Sequence, residues 1–415
     1  MIFNPGHKEA FVWFYMPGAA EPVVCGKVAA DNGTHASIHR FIYGRSYREL
    51  QDAVPLLPHA LPINANEQST RRGLHGVLRD AAPDAWGRRV LMYKLYMSVE
   101  RGEEELTEID YLMTGGQGIG ALHFQDSEKI FEPKPQHMAE LGDLMRAAEA
   151  VEKNVPLPPD LEEALLYGTS IGGARPKALI KKEDAQLVIA KFSSSTDIYP
   201  MVRLEAMSMA LAGLVGIDTV TTEFKTVMDK DVLLVNRFDC DAGEPQRRHF
   251  FSALTALELV DEMEARYASY PELADYLRRY SEEPVNQCRE LYRRMLFNIF
   301  IGNTDDHARN HAMFWNGRFV SLTPAYDVCV MPRSALASRQ AMDVGEQGKQ
   351  ASLANALSSC GHFGLTEIEA NQMADDIEAG IHEHWQNAYA AVELPKQLAN
   401  SLWQRTVLSP AIREN

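Results

Sequence analysis

Cysteine is scarce and scattered in this 415-residue sequence. The five thiols, Cys25, Cys240, Cys288, Cys329 and Cys360, form no CxxC pair, which argues against a cysteine zinc site and a disulfide framework. An odd, dispersed set suits reduced thiols in a cytoplasm. The sequence also lacks any run of about 18 apolar residues, so no membrane-spanning helix is expected. The opening MIFNPGHKEAFVWFYMPG does not show the basic-then-apolar order of a secretory signal. Positive charge is short as well: 41 Lys and Arg stand against 57 Asp and Glu, for a net charge of -16. Nucleic acid is bound through clustered Lys and Arg, so bulk electrostatics exclude that role. No helix-turn-helix is discernible, and DNA could be reached only through a basic partner. Internal repeats, low-complexity tracts and a GxxxxGK[ST] phosphate loop are all missing.

What is present is a chain with the means to fold. Hydrophobic residues make up 46% and charged residues 24%, enough for two or three packed domains. Residues 1–135 read as a mixed α/β unit, with strand-like runs at Phe11–Tyr15 and Val23–Val28 and a proline-rich connector at Pro55–Pro62. PDAWGRRVLMYKLYMS (Pro83–Ser98) has helical period, with Trp86, Val90, Leu91 and Leu95 near one face. Pro83 suits a helix start. FEPKPQ (Phe131–Gln136) marks a boundary.

Residues 136–245 then read as a small β-rich lobe. A helix is expected over about 137–152, followed by strands in ALLYGTS (Ala164–Ser170) and in ALIKKEDAQLVIAKF, whose Glu183–Asp184 predicts a hairpin turn. A helix at about 200–215 and strands at 219–228 and 232–238 follow. Residues 246–415 have mostly helical period. A small β-rich lobe before a larger helical lobe is an α+β, bilobal, kinase-like order.

Four patterns bear on chemistry, one of them by exclusion. SIGGARPKALI (Ser170–Ile180) sets two glycines between apolar runs, with Arg175 and Lys177 beside them. Such a loop lets backbone N–H groups approach a polyphosphate; a plain tight turn reads equally from these residues. A second cluster, GGQGIGA (Gly115–Ala121), has the wrong glycine spacing for a dinucleotide fingerprint and reads as a structural loop. LVIAKF (Leu187–Phe192) ends an apolar strand with Lys191, on the same side as Ile189 and Leu187. In kinases a strand lysine contacts the α and β phosphates and is oriented by a helix glutamate, for which Glu205 is the candidate. A lysine on an edge strand is the competing reading.

The fourth pattern is LFNIFIGNTDDHARNHAMFW (Leu296–Trp315), followed by LTPAYDVCVMP. Asp305 precedes Asn310 by five residues, the interval of the kinase catalytic loop, where Asp acts on the attacking hydroxyl and Asn holds metal. Asp327 supplies a second carboxylate downstream. Hard oxygen ligands of this kind suit Mg²⁺. The choice of Asp305 over Asp306 rests on spacing alone. His307 and His311 are four apart, but no glutamate beside His307 completes a zinc motif.

Taken together, these segments resemble the HipA family, the kinase toxins of bacterial toxin–antitoxin pairs. PDAWGRR, SIGGARPKA, LVIAKF, LVNRFD and TDDHARN with AYDV match that family's motifs in order. The resemblance implies a protein-kinase-like (PI3/4-kinase-like) fold and ATP- and Mg²⁺-dependent phosphorylation of a protein serine or threonine, with aminoacyl-tRNA synthetases among the family's targets. It implies Asp305 as base, and Asn310 and Asp327 as metal ligands. Nucleotide contacts would come from Gly172, Gly173, Ala174, Arg175, Lys177, Lys191, His307, Tyr326 and the hinge Asn236, Arg237 and Phe238. Ser170 would be the autophosphorylated off switch, where added negative charge disfavours the ATP-binding loop conformation. A HipB-like helix-turn-helix antitoxin would be the partner, with DNA reached through it. The hinge reads NRFDC where the family has ERFDR, and RRHFFSALTAL replaces a more acidic stretch after it. A silent antitoxin-binding co-repressor and a small-molecule kinase stand as alternatives.

Overall fold

The computed structural model describes residues 6–31, 38–70, 73–97, 106–114, 119–133, 139–158, 160–161, 165, 175–260 and 264–414. Ser170, Gly172, Gly173, Ala174 and Gly115–Gly118 lie outside the described residues. The fold is α+β and divides into two compact units. One comprises Met1–Thr196, Thr226–Phe251 and Trp315–Arg318; the other comprises Asp197–Lys225, Ser252–Phe314 and Phe319–Asn415.

The first unit holds an antiparallel sheet of β1 (Glu9–Phe14), β2 (Val23–Ala30), β3 (His39–Tyr43), β4 (Gln68–Ser69) and β5 (Leu122–Gln125), in the order β4-β3-β2-β1-β5. Helix α1 (Ala85–Met97) lies between β4 and β5 in sequence. It starts two residues after Pro83, because Asp84 caps it: Asp84 Oδ1 accepts from the Gly87 N–H at 2.8 Å. The predicted face is the buried one, with Trp86, Val90, Leu91 and Leu95 all in the interior.

Helix α2 (Leu141–Lys153) precedes β6 (Lys177–Lys181) and β7 (Leu187–Phe192). The turn between these strands is the expected one, closed by Lys182 N–H to Gln186 O at 2.9 Å. Helix α3 (Met201–Leu214) and strands β8 (Thr222–Val227) and β9 (Lys230–Asn236) follow. The second sheet runs β6-β7-β9-β8. In ALLYGTS, Leu165 is helical and fully buried, not extended. The run LEEALL is made of strong helix formers, and Leu161 and Leu165, four residues apart, both pack on the core.

Helix α1 shares one core with α2 and the β6–β9 sheet. Trp86, Val90 and Tyr93 of α1 pack with Leu144, Ala148 and Val151 of α2 and with Ala178, Val188, Ala190, Phe192, Val232 and Leu234 of the sheet. Trp86, Ala178 and Val188 are at most 1% exposed, and a contiguous core of this kind makes a single cooperative unit.

In the second unit, α3 packs on α6 (Glu367–Ala391), while α5 (Pro284–Ile301) packs on α4 (Tyr270–Tyr280) and α6. Strands β10 (Phe250–Ser252), β11 (Ala312–Trp315) and β12 (Val320–Leu322) form a small sheet in that order. Strands β8, β10 and β11 each carry the chain from one unit into the other. No helix of the described residues is long and apolar enough to cross a membrane.

The proline-rich connector is fastened within the first unit by one histidine and one tryptophan. His249 Nε2 donates to Leu56 O at 2.8 Å, and Trp315 Nε1 donates to Pro55 O at 2.9 Å. Burial pushes the His249 imidazole down to about 4, only partly offset by its bond to Leu56 O. The unfolded chain takes up this proton from about pH 6.5 downward, whereas the folded chain resists until about pH 4. The neutral ring's contribution is therefore complete above pH 6.5 and is lost as pH falls through that window, by roughly 3 kcal/mol at most. Urea unfolding at pH 7 and pH 4.5 should show a smaller acid loss for His249→Gln than for the wild-type protein. Equal losses would show that the ring titrates normally.

Candidate functional site

The loop at residues 303–311 begins where α5 is forced to stop. This helix is buried through nearly its whole C-terminal half, Met295 to Ile301. It ends at Gly302, whose backbone is left-handed at φ 71° and whose N–H bonds to Ile299 O at 3.2 Å. A Cβ here would stand 2.7 Å from Thr406 Cγ2 and 2.8 Å from Thr406 O. Only glycine meets both demands. Asn303 then turns back on the helix, its Nδ2 donating to Asn298 Oδ1 at 3.0 Å.

Beyond that point the two aspartates part. Asp305 is exposed. Asp306 is 2% exposed, and its Oδ1 lies 2.9 Å from Nε2 of His311, itself 3% exposed. The exposed carboxylate of the two is Asp305, and the second histidine faces Asp306. His307 is half-buried, and its Nδ1 has no hydrogen-bond partner among the described residues.

Asn310 is held with one end of its amide spoken for. Its Nδ2 donates to Asp305 O at 3.1 Å, and its backbone N–H donates to His307 O at 2.8 Å. The amide oxygen is left to accept. Two ties hold the segment before Asp327 to this loop and to the strand after it. Thr323 N–H bonds to Ala312 O at 2.9 Å, and Tyr326 Oη donates to Arg309 O at 2.8 Å. Asp327 takes a left-handed backbone, φ 60°. That is an uncommon conformation for a residue with a side chain and is frequent at functional sites. An amide oxygen and a carboxylate are the hard, oxygen-only donors that Mg²⁺ takes, so these residues fit such an ion.

The first unit carries the lysines and the hinge. Lys191 is half-buried on β7, with Ile189 on its side, while Val188, Ala190 and Phe192 face the core. Directly opposite Lys191, in a non-hydrogen-bonded pair, stands Lys177 of β6. Such pairs bring Cα atoms to about 4.5 Å with side chains on one face, where like charges repel. Lys177, expected at the phosphates, is 2% exposed, and its ammonium lies 3.0 Å from Asp84 Oδ2. Trp86 Nε1 also donates to Lys177 O at 2.9 Å. PDAWG therefore grips the first residue of β6 at both its charge and its carbonyl. Arg175, two residues earlier, is half-buried.

At the hinge, Arg237 has its side chain held within the first unit. Its N–H bonds to Leu187 O at 3.0 Å, and its buried guanidinium pairs with Asp239 through Nε at 2.8 Å and through Nη2. Burial works against charge on both groups. Attraction to Arg237 and the Gly120 N–H, 2.7 Å away, nevertheless carries Asp239 below the usual carboxylate range. The GGQGIGA loop is thereby fastened at Gly120, consistent with its structural reading. Asn236 and Phe238 are half-buried, and Phe238 packs edge-on against Phe250. Glu205 is a buried residue of α3 in the second unit.

Sequence reasoning missed the roles of Asp84, Asp306, His311 and Asp239, since each is defined by a side-chain partner. The local sign for Asp84 was its position before a helix, a capping site. Removing one member of a buried ion pair strands the other charge. Asp84→Asn should therefore lower the unfolding free energy by about 3 kcal/mol in urea titration; a loss below about 1 kcal/mol would show that the pair is not a buried ionic contact.

The model of the HipA-like C-terminal domain matches residues 169–385. Two relatives carry the name "Putative kinase". One, Y4mE of Sinorhizobium fredii, is 26% identical over 332 residues, covering 74% of this chain and 76% of its own length. The other, from Haemophilus influenzae, is 25% identical over 184 residues, and this chain spans 54% of its length. The fold is similar to that of a solved chain from the Shewanella oneidensis toxin–antitoxin complex of HipA, HipB and operator DNA. The TM-score is 0.66 at 18% identity, over 96% of this chain and 95% of that one. With the family model matched over more than half of its length, this chain belongs to the HipA family.

Proposed function

We propose that this protein is an ATP- and Mg²⁺-dependent serine/threonine protein kinase with the bilobal, PI3/4-kinase-like fold, acting as the toxin of a toxin–antitoxin pair. The observation that carries the reading is the division of labour in the loop: Asp305 is exposed, while Asp306 is buried against His311. Asp305 would orient the substrate hydroxyl and accept its proton. The Asn310 amide oxygen and the Asp327 carboxylate would hold Mg²⁺, which when bound neutralises charge on the phosphates. Lys191 and His307 would meet phosphate oxygens, with Arg175 beside the glycine loop. Asn236, Phe238 and Tyr326 would line the nucleotide. Lys177 would act on β6 through Asp84. The relatives' names support the kinase chemistry.

The substrate would be a protein, with an aminoacyl-tRNA synthetase the model target from the family resemblance. A HipB-like antitoxin is the proposed partner, supported by the assembly named for the structurally similar chain. Operator DNA would be reached through that partner, since this chain carries a net charge of -16. Reduced, dispersed thiols suit a cytoplasmic site of action.

Mass spectrometry after incubation with Mg-ATP and a cell lysate tests the reading. Wild-type protein should yield a phosphopeptide from the target and another containing Ser170. Asp305→Asn should lower transfer by on the order of 10²-fold or more while retaining ATP binding; full labelling by that variant would remove Asp305 from the role of base. Ser170→Ala should lose the autophosphorylated peptide yet keep activity toward the target. ATP turnover toward small hydroxyl compounds alone would replace a protein substrate with a small-molecule one.

A further inference from the structure

The catalytic-loop sequence contains a second pair at the same interval as Asp305 and Asn310, shifted by one residue: Asp306 and His311. Both side chains are buried, and Asp306 Oδ1 lies 2.9 Å from His311 Nε2. The approach lacks the alignment of a hydrogen bond, so its attraction is one of charge and dipole. The edge of the Tyr270 ring system meets His311 with centroids 5.3 Å apart. Asp306 Oδ2, His311 Nδ1 and Tyr270 Oη are all buried without a hydrogen-bond partner among the described residues.

Such a cluster is a poor device for stability. Buried polar atoms without partners cost free energy, and an imperfectly satisfied buried pair is often outdone by apolar residues of similar size. Its location offers a different reason. Asp306 directly follows Asp305, and His311 directly follows Asn310. The contact ties the residue after Asp305 to the residue after Asn310, and so bridges the two ends of the loop. Asn310 Nδ2 to Asp305 O and Asn310 N–H to His307 O bridge the same span. His311 is itself anchored, its carbonyl accepting from Ala253 N–H at 2.8 Å.

We infer that Asp306 and His311 are positioning residues that fix the interval between the Asp305 carboxylate and the Asn310 amide oxygen. The inference rests on the reading of this loop as a phosphotransfer and metal site. It predicts that the loop gives up stability for geometry, so that losing the pair separates the two.

The test is the double variant Asp306→Leu with His311→Leu, measured in the full chain. Its melting temperature should equal or exceed that of wild type. Its kcat should fall on the order of 10²-fold, as expected for misplacement of about 1 Å, while KM for ATP stays within about twofold. Calorimetry with a non-hydrolysable ATP analogue gives a readout free of turnover. The Mg²⁺ concentration for half-maximal analogue binding should rise about tenfold, or about 1.4 kcal/mol. If the double variant does not fold, Asp306→Asn, which keeps the shape, reads the same quantities.

Unchanged kcat and Mg²⁺ dependence would overturn the inference, as would losses that merely track a lower melting temperature. Wild-type protein that binds the analogue with Mg²⁺ but transfers no phosphate would sink the kinase reading alone. The binding readout would then still decide the role of the pair: a raised Mg²⁺ requirement supports it, and an unchanged one overturns it. Wild-type protein with no Mg²⁺-dependent binding would overturn both.

Discussion

The left-handed stop at Gly302 is the constraint on which the candidate site depends. Helix α5 is buried along its C-terminal half, so its direction is set by packing. The chain must leave that helix sharply, in a space bounded by Thr406, and glycine alone can do so. From that exit the loop has little freedom. Asn303 is tied back to Asn298, Asp306 turns in toward His311, and Asp305 is left facing out. The exposure of Asp305 is thus inherited from the packing of a helix many residues long.

The first unit solves a different problem, that of placing two lysines opposite each other on one sheet face. Repulsion between Lys177 and Lys191 would disfavour the register that the core demands. Asp84 supplies the missing negative charge from a distant part of the chain, and also caps α1. The same residue therefore settles a helix start and a strand pairing. This links the PDAWG segment to the glycine loop, two motifs that sequence order alone leaves unrelated. Arg237, Asp239 and Gly120 repeat the device at the hinge, again joining a β-strand end to a loop of the N-terminal region.

Local signals in the sequence were read well where the physics is local. The period of PDAWGRRVLMYKLYMS, the polar turn at Glu183–Asp184 and the alternation in LVIAKF all reappear, because each depends on near neighbours. Spacing also pointed to Asp305, Asn310 and Asp327, and chose Asp305 over Asp306 without any sign of how differently the two are buried. That difference is one of burial, set by the position of His311. Leu165 misled in the same way: its segment has apolar residues that suit a strand, and the helix answers to packing against α1, α2 and the sheet. Lys177 looks like a ligand for phosphate from its neighbours in sequence. Its ammonium lies against Asp84, and an ion pair spanning 93 residues leaves no mark in a window of ten.

The bond from the Trp86 indole to Lys177 O bears on solubility. Strand β6 is the outer strand of its sheet, and alternate backbone groups there, starting with the Lys177 carbonyl, point away from β7. An outer strand with free carbonyls is a template for another chain. The indole occupies the first of these acceptors, so an incoming strand would have to displace a buried tryptophan before it could pair in register. The residue that fastens the glycine loop's strand in place also guards that strand against templated aggregation.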